Sequence, residues 1–357
     1  MLVACVNPGS SSLKLSLIDG NETVSETSIS STGDRADLSS ALPPEIAAAA
    51  VRVVHGGRDF RQATLVDAGV LERLRALSSL APLHNPRALR LIDGVREARP
   101  GLPVVACFDT AFHRTLPAAA TTYPVPGSWT ERWGLRRFGF HGLSHAYASR
   151  RAAELLGSLP HRMVSCHLGA GASLCAIEDG RSIDTTMGFT PMEGLMMATR
   201  SGSVDPGLVL FAMRQGLTVD DVERVLDRES GLLGVSGISA DFREVRAAAD
   251  AGDVAAVLAL DVFRHRLVQG IAAMVASLGG IDALVFTGGV GENQARLRQE
   301  TCDGLLFLGV RLNAENADLS AQDHRLSLDG SPVAVVVVRA REDLEMARQS
   351  EALLSVA

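Results

Sequence analysis

The chain has 357 residues, 46% of them apolar, which is enough to bury a sizeable core and to form two domains. Its net charge of −7 argues against nucleic acid or an anionic membrane surface as the main partner. Five cysteines, an odd number without CxxC spacing, read as reduced thiols of a cytosolic protein rather than a disulfide framework or a zinc site. No apolar run reaches the length of a membrane span. The chain enters a strand at once, so no signal peptide is expected.

In chain order, residues 3–20 predict strand, turn, strand: apolar residues flank the small polar run Asn7-Pro8-Gly9-Ser10-Ser11-Ser12. Lys14 follows it and is the only lysine of the chain. A compact ammonium beside a turn rich in hydroxyls and N–H groups suits a polyphosphate. Residues 21–44 are polar and Ser-rich and predict a connection. A strand over 51–54 ends at His55-Gly56-Gly57, helices are predicted over 65–80 and 87–97, and a strand over 104–108 ends at Asp109. A further strand over 137–140 ends at His141-Gly142. Polar residues thus recur at carboxyl ends of strands, where sites of α/β folds gather. Helices follow over 144–156, 205–215, 219–227, 242–249 and 253–278, the last apolar enough to predict burial between domains or subunits. The run 283–286 leads into Thr287-Gly288-Gly289-Val290-Gly291-Glu292-Asn293, a glycine-rich turn opening a helix, which presents N–H groups to anions. A strand over 333–338 and a helix from Glu342 close the chain, and the alternation implies α/β layers.

The first hairpin returns at half-chain distance. Val164-Ser165-Cys166 fall on Val3-Ala4-Cys5, and Ile177, Asp179 and Gly180 fall on Leu17, Asp19 and Gly20. The repeat predicts two related domains. The P-loop fails because Leu13 precedes Lys14, and the dinucleotide fingerprint fails because Leu174 and Gln294 stand where a third Gly belongs. Each turn alone is as consistent with a structural role; the three together favour a nucleotide held between two hairpin-bearing domains.

The blocks Asn7-Pro8-Gly9-Ser10-Ser11-Ser12-Leu13-Lys14, Arg52-Val53-Val54-His55-Gly56-Gly57, Phe108-Asp109-Thr110, Gly139-Phe140-His141-Gly142, Cys166-His167-Leu168-Gly169, Thr190-Pro191, Thr199-Arg200, Asp241-Phe242-Arg243 and Gly289-Val290-Gly291-Glu292-Asn293 run in order from residue 2 to about 352. Together they resemble the acetate kinases, the acetokinase family that also holds propionate and butyrate kinases. The resemblance implies an α/β fold of two duplicated actin- and sugar-kinase-like (ribonuclease H-like) domains with a nucleotide cleft between them. The N-terminal domain would cover 1–142, joined by the C-terminal helix 342–357, and the C-terminal domain 143–341 would carry the adenosine site and the dimer interface. It implies a cytoplasmic homodimer that transfers the ATP γ-phosphoryl to a short-chain carboxylate. Alternatives are a propionate, butyrate or pyrophosphate-dependent enzyme, or a non-catalytic nucleotide-binding relative.

A carboxylate nucleophile is ionised at neutral pH, since free carboxyls titrate near ~4, so no general base is required. The site must instead position two anions and screen their charge. The resemblance assigns that work to Arg52 and Arg200 on the carboxylate and the transferring phosphoryl, His141 on its equatorial oxygens, and Asp109 as the group orienting the arginine. His84 and His167 would line the phosphate region. Asn7 and Glu342 would hold Mg²⁺, with Mn²⁺ possible. Ser10, Ser12, Lys14, His167, Gly169 and Gly171 would meet the phosphates, and Asp241, Phe242, Arg243, Gly289, Gly291, Glu292 and Asn293 the nucleotide. Val54, Leu83, Phe140 and Pro191 would form the small apolar pocket for the acid.

Some positions depart from the family pattern. Pro8 stands where Ala is usual and lacks an N–H. Ala170 and Ala172 replace polar residues, Arg58 replaces Glu, Ala340-Arg341 replaces Thr-Asn, and the segment over 21–50 is shorter by several tens of residues.

Overall fold

The computed structural model describes residues 1–8, 12–30, 38, 41–82, 84–313, 322–328 and 330–355, with the backbone alone at 12, 29 and 30. Contacts divide the chain into two compact units. One comprises Met1–Arg114, Phe140–Tyr147 and Arg341–Ala357, the other Thr115–Gly139 and Ala148–Ala340.

The sheet of the first unit has six strands: β1 (Leu2–Pro8), β2 (Ser12–Asp19), β3 (Glu22–Ser30), β4 (Ala48–Val53), β5 (Thr64–Leu65) and β6 (Val104–Phe108). They lie in the order β3-β2-β1-β4-β6-β5, with β1, β4 and β6 parallel and the rest antiparallel. The parallel strands are buried on both faces, which accounts for their unbroken apolar runs. Alternate residues divide between two cores. Ala4, Val6, Ala49, Val51 and Ala106 pack under the helices Ala68–Ala76 and Asn85–Ala98. Val3, Cys5, Ala50, Val105 and Cys107 pack under the helix Glu342–Leu354 through Met346 and Ala347.

The second unit repeats this plan with β7 (Arg162–Leu168), β8 (Ala172–Glu178), β9 (Arg181–Thr185), β10 (Ala283–Thr287), β11 (His324–Arg325) and β12 (Ala334–Val337). Read from β9, the order is β9-β8-β7-β10-β12-β11, again with three parallel central strands. Each third strand joins with a register irregularity, at Leu17/Ile18 in one sheet and Ala176/Ile177 in the other. The sequence repeat is therefore a whole duplicated α/β sheet.

Three expectations need correction. Residues 22–30 are not a connection but β3; it is an edge strand with exposed residues, so Thr, Ser and Val supply β-preference without apolar alternation. Residues 137–140 do not form a strand. The Arg137 N–H bonds the Thr121 carbonyl (2.8 Å), the Phe138 N–H bonds Gly188 (3.0 Å), and Gly139 at φ +74° turns the backbone out of the extended region. The helix expected over 65–80 begins at Ala68, where the Asp67 carboxylate accepts the Val70 N–H, and ends in the 3₁₀ turn Leu77–Leu80. The apolar helix expected over 253–278 is present as Val254–Leu278; within this chain it buries one stripe, Ala256, Leu260, Phe263, Leu267, Ile271, Met274 and Leu278, and leaves Val254 and Leu258 exposed. Among the described residues, no helix is long and apolar enough to cross a membrane.

Candidate active site

Parallel pairing places the carboxyl ends of β1, β4 and β6 side by side, with Val6 opposite Val51 and Arg52 opposite Cys107. Asn7, Arg52 and Asp109 therefore converge at one sheet edge. Arg52 Nε bonds Asp109 Oδ1 at 2.9 Å and Arg52 Nη2 bonds Asp109 Oδ2 at 2.6 Å, a bidentate fork. Arg52 Nη1 donates to Asn7 Oδ1 (3.1 Å) and lies 3.3 Å from Glu342 Oε2, which also accepts from Asn7 Nδ2 (2.8 Å). Glu342 opens the helix Glu342–Leu354, so the last helix returns to the first strand. Burial alone would lower the Arg52 pKa, but the carboxylates of Asp109 and Glu342 outweigh it and raise it well above the ordinary range. Burial pushes the Asp109 carboxyl up and Arg52 opposes this; the bidentate geometry is that of an ion pair.

His141 follows closely. Gly142 N–H donates to the Asp109 carbonyl (2.8 Å), and a Cβ at Gly142 would run into that oxygen and into Phe112. Only glycine permits this approach, and it leaves His141 at φ +56°, in the left-handed region. Phe140 is buried, and its carbonyl accepts Nε2–H of His113 (3.0 Å). Burial holds the His113 pKa down at about 4, so this histidine is neutral. His55 and His145 are also buried. Val54 is half-buried just past β4, and His84 precedes the helix Asn85–Ala98. Ser10, Leu83 and the Ser12 side chain lie outside the described residues. Lys14 forms an exposed ion pair with Glu26 across β2 and β3 (3.0 Å). Arg341, the departure beside Glu342, has its charge taken up by Asp343 (3.0 Å) and hydrogen-bonds Thr23.

In the second unit, His167 sits opposite Thr287 at the ends of β7 and β10. Gly169 N–H closes on the Gly171 carbonyl (2.9 Å), and the Ala170 carbonyl accepts Ala198 N–H (3.1 Å), which ties this turn to the loop carrying Arg200. Arg200 Nε bonds Asp227 (3.1 Å) and Nη1 bonds the Pro191 carbonyl (3.2 Å). Asp241 caps the helix Phe242–Asp250 and grips the exposed Arg243, while Phe242 is buried edge-on to Phe263. The glycine-rich turn forms the short helix Gly288–Asn293. Its Gly291 and Glu292 carbonyls accept from Arg298 Nη1 at 2.9 and 2.6 Å, Asn293 bonds the Gly289 carbonyl, and Glu292 accepts Ala340 N–H.

Asp227 and Arg298 were not visible in the sequence. Asp227 ends the helix expected over 219–227, and Arg298 lies in the helix Ala295–Asp303, which the sequence analysis did not include; Arg298 is 1% exposed. The only signal was the apolar pattern around them, which spaces Leu297 and Cys302 inward beside Arg298.

Residues 35–348 match the acetokinase family. The chain belongs to that family. An acetate kinase from Synechococcus sp. (strain JA-2-3B'a(2-13)) is 49% identical over 87% of this chain and 77% of the relative. The crystal structure of Porphyromonas gingivalis acetate kinase superposes with a TM-score of 0.92 at 33% identity, over 99% of both chains. A propionate kinase from Francisella tularensis subsp. tularensis gives 0.89 at 34%, over 98% of both. As a member of the acetokinase family the chain is an enzyme, a kinase, and its reaction needs a divalent metal. Among the described residues no group of three His, Cys, Asp or Glu forms a ready metal cage. The donors at the first sheet edge are hard oxygens, an amide at Asn7 and a carboxylate at Glu342. That sparse set fits a hard cation that keeps several waters and takes one or two carboxylates.

Proposed function

We propose that the protein transfers the γ-phosphoryl group of ATP to acetate, giving acetyl phosphate and ADP. The observation that carries this reading is the bidentate Arg52–Asp109 pair with Asn7 and Glu342 around it, a fixed cation at a sheet edge beside a hard-oxygen donor set. An acetate oxygen attacks phosphorus in line while the bond from the γ-phosphorus to the bridging oxygen of ADP breaks; acetate is ionised already, so no proton moves. Arg52, held by Asp109, grips the carboxylate as a planar fork, and Arg200, held by Asp227, meets the transferring phosphoryl. His141 donates to its equatorial oxygens, and His84 and His167 line the same region. Asn7 and Glu342 would hold Mg²⁺, with Mn²⁺ as a substitute, an ion that would supply screening of the phosphate charge. Val54, Leu83, Phe140 and Pro191 shape the pocket for the methyl group.

Ser10, Ser12, Lys14, Gly169 and Gly171 approach the phosphates with His167. Asp241, Phe242, Arg243, Gly289, Gly291, Glu292 and Asn293 serve the nucleoside end. We further propose a cytoplasmic homodimer. Buried free cysteines support the first part, and the exposed apolar side chains of Leu208, Leu210 and Phe211 on one helix support the second. Propionate is a second acceptor, because one methylene is worth only about 1–3 kcal/mol of discrimination and a propionate kinase is similar to this chain.

Purified protein with acetate, MgATP and hydroxylamine tests the reading, with acetyl hydroxamate expected. No hydroxamate from acetate with ATP overturns it; hydroxamate only from propionate or butyrate, or only with pyrophosphate as donor, assigns that acceptor or donor instead.

A further inference from the structure

Outside the strand-end cluster, a tight polar network of the second unit centres on Glu193, a residue given no part in the reaction so far. Its carboxylate is gripped from both sides. Tyr123 Oη donates to Oε2 and Arg137 Nη2 to Oε1, each at 2.5 Å. Both partners then act on the backbone of one loop. Arg137 Nη1 donates to the carbonyls of Thr185 (3.2 Å), Thr186 (3.0 Å) and Met187 (3.1 Å). Tyr123 Oη accepts the Phe189 N–H at 2.8 Å. Gly188 lies so close that a Cβ there would run into the Glu193 carboxylate and the Tyr123 hydroxyl. Burial and the neighbouring carboxylate keep the Tyr123 phenol protonated, so it donates and accepts at once.

The fixed loop ends at Pro191, whose carbonyl accepts from Arg200 Nη1. Arg200 is thus aimed by Asp227 at Nε and by the Pro191 carbonyl at Nη1, with Met197 Sδ a longer contact of Nη1 at 3.8 Å. Asp227 sits in a helix, whereas Pro191 belongs to the loop that Glu193 ties down. We propose that Glu193 is a positioning residue, which, by joining Tyr123 and Arg137, holds the loop 186–193 against the end of β9 so that the Pro191 carbonyl orients Arg200 for phosphoryl transfer. Glu193 does not act as a base: both its oxygens are taken by donors, and the nucleophile carries no proton to remove. The inference rests on the proposed function for its catalytic consequence, and on geometry alone for its structural one.

The test uses the full chain with Glu193→Gln and Tyr123→Phe. A glutamine cannot accept from both partners with both ends, and phenylalanine keeps the ring while removing the hydroxyl. In the hydroxamate assay kcat should fall on the order of ten- to a hundredfold, as for other remote misplacements, with the KM for ATP unchanged. In an Arg200→Ala background the same substitutions should cost little more, because Arg200 is what they act through. Hydrogen exchange supplies a readout without turnover: the 187–193 amides should exchange faster in both variants while β10 stays protected. Equal losses in both backgrounds, or unchanged exchange at Phe189, overturn the inference. Should Glu193→Gln not fold, Tyr123→Phe decides alone. A wild-type protein without turnover removes the proposed function, while exchange still judges the loop.

Discussion

Arg52 and Asp109 share two parallel hydrogen bonds from the ends of neighbouring parallel strands, β4 and β6. Removing the carboxylate takes away both bonds of the fork and leaves the part-buried guanidinium with Glu342 as its remaining carboxylate, a loss below the roughly 3–5 kcal/mol of a fully uncompensated buried charge. Asp109→Ala should therefore lower the melting temperature clearly. Asp109→Asn keeps the shape and one acceptor, and should melt closer to wild type while kcat drops by roughly a hundredfold or more. Calorimetry beside the hydroxamate assay separates the two; an Asp109→Asn enzyme at full rate would remove Arg52 orientation from the mechanism.

Gly142 is a site where one methyl group has nowhere to go. Gly142→Ala should cost about 1–3 kcal/mol through overpacking against the Asp109 carbonyl, and lower activity with it. Gly94 provides the contrast: it lies inside the helix Asn85–Ala98, and an added Cβ would meet Leu38 Cδ1 at 3.5 Å, an ordinary van der Waals contact. Gly94→Ala should stabilise by about 0.5–1 kcal/mol. Paired urea titrations read both signs.

Asp227 holds Arg200 from a helix otherwise exposed to solvent. Asp227→Ala should lower kcat by about tenfold, less than the hundredfold or more expected for Arg200→Ala. Neither should alter ADP affinity by titration calorimetry. Loss of ADP binding in either variant would reassign Arg200 to the nucleotide.

His113 links stability to pH. Unfolded, it takes up a proton below 6.5; folded, only below about 4, because burial disfavours the charged ring. Between those values the unfolded state binds more protons, so stability is full above 6.5 and falls as the pH drops towards 4. The loss is on the order of 3 kcal/mol. His113→Gln keeps a donor for the Phe140 carbonyl and should flatten that slope. Urea midpoints at pH 7 and pH 4.5 measure the difference.

Parallel strands announce their ends, because an apolar run stops and a polar residue follows, as at His55 and Asp109; Arg52 and His167 lie inside their strands with apolar residues after them, and only the family resemblance singled them out. The duplication was legible because Val3-Ala4-Cys5 and Val164-Ser165-Cys166 keep the same inward alternation. Asp227, Glu193 and Arg298 were not legible, since a charge that grips a distant guanidinium or carbonyl looks, one residue at a time, like a charge in water. The strand β3 was missed for a related reason. An exposed edge strand needs no apolar face, so Glu22–Ser30 carries no alternation to read.

The helix Glu342–Leu354 packs on the face of the first sheet that carries Val3, Cys5 and Cys107, and it delivers Glu342 to the strand ends. On the ribosome, β1 (Leu2–Pro8) waits for a cover, the helix Glu342–Leu354, that is made long after it. The sheet of the first unit cannot complete its core until that helix has been synthesised, whereas domains usually fold in the order in which they emerge. A chain stopped after Val338 would leave that sheet face bare to water and its strand-end cluster without Glu342, so a premature stop yields a nascent chain that binds chaperones rather than a smaller kinase.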